Sequence, residues 1–235
     1  MTTIMIMAGG TGGHVFPALA VAEVLTQRGV KVTWMGTEKG IEARLVPEAG
    51  YTLNLISVQG LRGNGLMGWL TAPFKLIKAV IEAKKALKND QADMVLGLGG
   101  FASGPGGVAA WLLRKPIIIH EQNAVPGLTN TLLSVLADKV LQGFPNSFNA
   151  SKQAEWVGNP VRAGIASLPE PLLKATPSKA VNLLVLGGSL GAKSLNKILP
   201  EAIALIGEDR DFDVKHQCGV RHLEDCQNYY EQAQI

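Results

Sequence analysis

The chain has 235 residues, which at about 150 residues per domain fits one large domain, or one domain and part of another. Hydrophobic residues make up 47% and charged residues 17%, which excludes a disordered chain and calls for a packed core. The formal net charge of +3 is too small to argue for nucleic acid as a partner.

Two cysteines, Cys218 and Cys226, build no disulfide framework, so the chain reads as cytosolic and reduced. Met1 to Met7 has no basic stretch ahead of its apolar residues and does not read as a signal peptide. No apolar run approaches the roughly 20 residues that span a bilayer. The 27 glycines follow no collagen-like period and belong in turns and ligand loops.

Apolar runs alternate with helical patterns along the chain. Strands are expected at Thr3–Met7, Val30–Met35, Tyr51–Val58, Ala92–Leu98, Pro116–His120 and Lys139–Leu141. Helices are expected at Val15–Arg28, Ile41–Ala49, Ala72–Lys88, Gly106–Leu113 and Gly127–Ala137. This alternation predicts an α/β fold with a parallel sheet covered on both faces, whose ligands bind beyond the carboxyl ends of the strands. Residues 1–162 form this first domain. Ala163 to Ala180, with Pro169, Pro171 and Pro177 and no periodicity, reads as a linker. From 181 the pattern restarts: a strand at Val181–Leu186, a helix at Ala192–Ile206, a strand at Phe212–His216 and a helix from about Val220. Two strands and two helices are fewer than a doubly wound half usually has, so 181–235 reads as the start of an incomplete second domain. The other reading is that these elements cap the first domain.

Four segments stand out as chemistry-bearing. Gly9-Gly10-Thr11-Gly12-Gly13-His14 lies between a strand and a helix, where backbone N–H groups and the helix start favour negative charge. No Gly-Lys-Ser/Thr follows, so it is not a Walker A loop. The third glycine of a dinucleotide fingerprint falls on Val15, and the second strand ends without the ribose-binding acid, which disfavours a nicotinamide-dependent oxidoreductase. His14 opens the helix, where the dipole favours a neutral imidazole suited to general base work; a histidine that merely caps the turn is an equal reading. Gly99-Gly100-Phe101-Ala102-Ser103-Gly104-Pro105-Gly106-Gly107 repeats the strand–glycine–helix pattern. His120-Glu121-Gln122-Asn123 places four polar residues at a strand end, poor core material but natural partners for a hydroxylated ligand. Gly187 to Gly191 repeats the glycine loop in the second unit, with Ser189 beside the helix start. Together these predict two similar nucleotide-fold units facing a cleft. Cys218 and His222 are a lone i, i+4 pair, and no metal or cofactor is expected.

Residues 62–90 carry Arg62, Lys75, Lys78, Lys84, Lys85 and Lys88 against Glu82 and Asp90. Lys75, Lys78, Glu82, Lys85 and Asn89 form a polar stripe on a helix, with Phe74, Leu76, Ile77, Val80, Ile81 and Leu87 around it. The apolar run Leu66-Met67-Gly68-Trp69-Leu70 precedes it. The segment reads evenly as a core-packed helix with a solvated lysine face or as a surface for an anionic membrane.

These four segments, with Val157-Gly158-Asn159-Pro160-Val161-Arg162, resemble the MurG family, the undecaprenyl-diphospho-muramoylpentapeptide N-acetylglucosaminyltransferases of bacterial peptidoglycan synthesis. The resemblance runs the length of the chain. It implies a GT-B fold of two Rossmann-like domains, the second incomplete here. It implies transfer of N-acetylglucosamine, with inversion, from UDP-N-acetylglucosamine to the muramoyl 4-hydroxyl of lipid I, giving lipid II. The work is implied to occur peripherally at the cytoplasmic face of the inner membrane. Thr11, Gly12, Gly13, Asn123, Arg162 and Ser189 match donor-contacting positions of the family, and His14 matches its proposed base. Glu121 is carried over as a second catalytic position, and Asn130 and Asn196 as further family positions. Phe101 stands where some members have Tyr. Members run on beyond this length into the uracil, ribose and sugar contacts, so residues 1–235 alone are expected to bind the donor weakly, or to act only as an acceptor- or membrane-binding fragment.

Overall fold

The computed structural model describes residues 1–58, 65–169, 180–188, 191–206 and 211–235; for 65–70 it describes the backbone alone. Two compact units divide the chain, Met1–Leu168 and Pro169–Ile235.

In the first unit, β1 (Thr3–Ala8), α1 (Gly12–Gln27), β2 (Lys31–Gly36), α2 (Glu42–Glu48) and β3 (Thr52–Leu55) are followed by α3 (Gly65–Asn89), β4 (Met94–Gly99) and α4 (Ser103–Leu112). Then come β5 (Ile117–Glu121), α5 (Leu128–Leu133), β6 (Lys139–Gln142), β7 (Glu155–Trp156) and α6 (Ala163–Ala166). The sheet has the order β3-β2-β1-β4-β5-β6-β7 and every pairing is parallel. Helices cover both faces, so the central strands are apolar on both. Met5 and Met7 of β1 point into one core with Ala83, Ala86 and Leu87 of α3 and Ala109 and Ala110 of α4. Ile6 and Ala8 point into the other, with Val15, Ala18 and Ala22 of α1. The two-residue period of a strand makes this division.

The α/β class with a parallel sheet is the one expected. The differences from the expected elements are local. β3 ends at Leu55 rather than Val58, because its one partner, β2, ends opposite Leu55 at Gly36. α3 runs back to Gly65, through Pro73. β7 has two residues, too few to leave a period in the sequence. Ala163–Ala166 is a single helical turn.

The second unit contains β8 (Ala180–Leu186), α7 (Lys193–Ile206), β9 (Asp211–Gln217) and α8 (Leu223–Gln232), with a 3-10 turn at Val220–His222. β8 and β9 pair in parallel from Ala180 opposite Asp211 to Leu186 opposite Gln217.

Candidate active site

Chain order reverses in the sheet at the β1/β4 boundary, where connections leave in opposite directions and open a crevice beyond the strand ends. The first two glycine segments meet there. The Gly9 N–H donates to the Gly99 carbonyl at 3.3 Å. Gly100 has φ +90°, and a Cβ on it would meet the Gly9 backbone, with Gly9 N 2.9 Å away. The buried Ser103 hydroxyl lies 2.8 Å from both the Met7 and Gly99 carbonyl oxygens, tying the two strand ends together.

Glu42, the first residue of α2, is fully buried beneath the first loop. Its carboxylate accepts from Gly10 N–H at 2.8 Å, Thr37 N–H at 2.9 Å and the Thr37 hydroxyl at 2.8 Å. A buried carboxylate persists when its lone pairs are filled in this way. Nothing local marks Glu42 in the sequence, because an acid in a first helical turn is ordinary. The Gly10 amide is therefore spent on Glu42. The first-turn amides of α1, at Gly12 and Gly13, have no intrahelical acceptor and carry the positive end of the helix. Thr11 is the exposed N-cap of α1 and its side chain makes no capping bond.

His14 projects from this first turn. Its Nδ1 lies 3.0 Å from Gln122 Oε1. Its ring packs on Gly99, where a Cβ would sit 2.8 Å from His14 Cε1 and where φ is +107°. Gly99 thus serves both the turn and the imidazole.

The His120–Asn123 segment crosses the end of β5. The Glu121 carboxylate is buried and accepts from Asn123 N–H at 2.9 Å, Asn123 Nδ2 at 2.8 Å, Gly127 N–H at 3.0 Å and Asn130 Nδ2 at 2.9 Å. Burial by itself would raise its pKa, but these hydrogen bonds outweigh it and hold the carboxyl below the usual range. Asn130 Oδ1 is buried with no hydrogen-bond partner. His120 Nε2 is 2.9 Å from the Gly158 carbonyl oxygen, and burial pushes its pKa down. Asn159 Nδ2 donates to the Gln122 carbonyl at 3.0 Å. The Arg162 guanidinium carbon stands 4.7 Å from the centroid of the Phe16 ring on α1.

The first unit thus gathers Thr11, Gly12, Gly13, His14, Glu121, Asn123, Asn130 and Arg162 around the carboxyl ends of β1, β4 and β5. Glu42 and the roles of His120 and Gln122 were not legible in sequence. In the second unit, Gly187 N–H donates to Gln217 O at 3.1 Å and Gly191 N–H to Gly188 O at 3.2 Å; Ser189 lies outside the described residues. Asn196 is buried and donates from Nδ2 to the Cys218 carbonyl at 2.9 Å, with Oδ1 unpartnered. Cys218 and Cys226 are free thiols. Among the described residues no His, Cys, Asp and Glu cluster has the form of a metal site, and no helix is long and apolar enough to cross a membrane.

On the helical face, α3 turns Ala79, Ala83, Ala86 and Leu87 inward and leaves Phe74 (75% exposed), Leu76, Ile77 and Ile81 open beside Lys75, Lys78 and Lys85. α5 exposes Leu128 and Leu132, and Val135 follows. Arg62 and the side chains of Leu66–Leu70 lie outside the described residues.

A parallel sheet that reverses its order between β1 and β4, with glycine loops at the reversal point and a histidine at the crevice, defines a doubly wound, Rossmann-like fold. The chain belongs to glycosyltransferase family 28: the family's N-terminal domain matches residues 4–142 and its C-terminal domain residues 182–235. It is 50% identical to a UDP-N-acetylglucosamine--N-acetylmuramyl-(pentapeptide) pyrophosphoryl-undecaprenol N-acetylglucosamine transferase of Pseudoalteromonas atlantica, covering 97% of this chain and 62% of that protein. It is 54% identical to the Alkalilimnicola ehrlichii protein of the same name, covering 99% and 65%. The crystal structure of Acinetobacter baumannii MurG is similar at TM-score 0.76 and 43% identity, covering 99% of this chain and 65% of that one. The chain therefore spans 62–65% of the length of these relatives.

Proposed function

We propose that the protein takes part in transfer of N-acetylglucosamine from UDP-N-acetylglucosamine to the muramoyl 4-hydroxyl of lipid I, with His14 as general base. The observation that carries this reading is the imidazole held at the β1/β4 crevice, Nδ1 on Gln122 and ring on Gly99. The names of the relatives at 50–54% identity support the substrates. In the reaction, the hydroxyl proton passes to His14 Nε2 and the alcohol oxygen bonds to the sugar's anomeric carbon from the face opposite the diphosphate. The bond from that carbon to the diphosphate oxygen breaks, and the electron pair leaves with UDP. Inversion follows from this single displacement.

The Gly12 and Gly13 amides, Thr11, Asn123 and Arg162 are suited to anionic and hydroxylated parts of the substrates, and Ser189 is assigned to the donor with them. Glu121 is a positioning residue in this reading, since its carboxylate is engaged by Asn123, Gly127 and Asn130. Asn130 orients Glu121, and Asn196 orients the Cys218 turn. The open apolar face of α3, rimmed by lysines, serves a peripheral attachment to an anionic membrane surface on the cytoplasmic side.

A radiolabelled sugar-transfer assay tests the reading, run on residues 1–235 and on a chain extended to the length of the relatives. The longer chain should transfer the sugar, and His14→Ala in it should lower turnover by about two to four orders of magnitude with donor affinity little changed. An unchanged rate removes His14 as base. A second reading is favoured by the 62–65% span: residues 1–235 alone act as an acceptor- or membrane-binding module. Micromolar donor affinity by calorimetry in the 235-residue chain would rule that out.

A further inference from the structure

We infer that His120 and Gln122 form a hydrogen-bond relay that fixes His14 as the Nδ1–H tautomer, with the Nε2 lone pair left for the acceptor hydroxyl. This rests on the reading of His14 as base and adds two positioning residues to it.

The direction of every bond follows from two backbone carbonyls, which only accept. His120 Nε2 lies 2.9 Å from Gly158 O, so Nε2 carries the proton and donates. In a neutral imidazole Nδ1 is then an acceptor. Gln122 Nε2 lies 2.7 Å from His120 O and 3.1 Å from His120 Nδ1. Both are acceptors, so the amide nitrogen belongs on that side; turning the amide over would set oxygen against oxygen. Gln122 Oε1 is thereby committed to the other side, 3.0 Å from His14 Nδ1, and it accepts. His14 Nδ1 must donate, and Nε2 holds the lone pair. His120 is 4% exposed and Gln122 7%, so water does not compete for these groups. Burial also keeps His120 in the neutral form that the relay needs.

An amide in this place has a chemical reason. A carboxylate would orient the imidazole equally well and strengthen it as a base. It would also set an oxygen, where Gln122 has its amide nitrogen, against the His120 carbonyl 2.7 Å away. Gln122 orients without that repulsion, and its bond to Nδ1–H tightens when Nε2 takes the proton.

The test is the tautomer of His14 in the 235-residue chain labelled with 15N-histidine. Long-range nitrogen–proton correlation spectra above pH 8 report which ring nitrogen carries the proton, and His14→Ala identifies the signal. The wild-type protein should show Nδ1–H at His14 and Nε2–H at His120. Gln122→Met, of similar size with no amide, should weaken the preference at His14 by about tenfold, the worth of one neutral hydrogen bond. A wild-type spectrum with the proton on His14 Nε2 overturns the relay, whether or not the variants fold. So does an unaltered His14 signal in folded Gln122→Met. If the tautomers are as stated while His14→Ala leaves sugar transfer in the longer chain unchanged, the relay stands and the base assignment falls.

Discussion

At Gly99 one hydrogen atom in place of a side chain satisfies two demands. The backbone takes φ +107°, and the imidazole of His14 packs where a Cβ would be. Gly99→Ala should cost about 1–3 kcal/mol by urea denaturation, from strain alone. It should also move the His14 ring signals, which strain elsewhere in the turn would not do. Glu42 is the matching case for charge. Glu42→Ala leaves Gly10 N–H, Thr37 N–H and the Thr37 hydroxyl without their buried acceptor. A loss of about 3 kcal/mol or more in unfolding free energy is expected, against a few tenths for removing the exposed Glu48 of the Arg44 pair. His14 and the glycines were legible because each loop follows an apolar run and opens a helix. Glu42 and the role of Gln122 were not, since partners 32 and 108 residues away give a carboxylate or an amide its task.

At the scale of elements, α3 shows how one helical pattern supports two faces. Sequence periodicity grouped Leu87 with Phe74, Ile77 and Ile81 around a lysine stripe. The structure instead turns a narrow line of alanines inward with Leu87, because small residues let α3 lie close to its neighbours over the sheet. The larger apolar side chains are thereby left outside beside the lysines. Replacing Ile77 and Ile81 by Ser should therefore leave the melting temperature within a degree or two, as exposed positions do. The same pair should reduce flotation with anionic vesicles, as should Lys75, Lys78 and Lys85 changed to Glu. Equal flotation of wild type and both variants would show that α3 is not the anchor.

The whole first unit carries a pH dependence that two buried groups set. Glu121 has its carboxyl lowered in the folded state, so its contribution is present above the ordinary glutamate value of 4.5 and is lost as pH falls through the lower folded value. His120 is also lowered, so below its ordinary value of 6.5 the unfolded chain binds protons that the folded chain refuses. Both signs agree. The melting temperature should decline as pH falls from about 6.5, with a further decline below about 4.5, and Glu121→Gln should flatten the second part. A flat profile from pH 7 to 5 would contradict the His120 assignment, and one from pH 5 to 3 the Glu121 assignment. Residues 1–168 hold the whole seven-stranded sheet and both of its cores, and expressed alone they should melt cooperatively.

The sequence by itself determined the α/β alternation, the strand–glycine–helix turns and the polar run across the end of β5. Those are local signals, set by periodicity and by what glycine permits within a few residues. The tertiary structure decided which loops meet. Only the strand order brings Gly9 against Gly99, Glu42 under Gly10 and Gln122 against His14, and only packing over the sheet selects which face of α3 is buried. Hydrogen-bond direction in the relay depends likewise on the Gly158 carbonyl, 38 residues along the chain from His120.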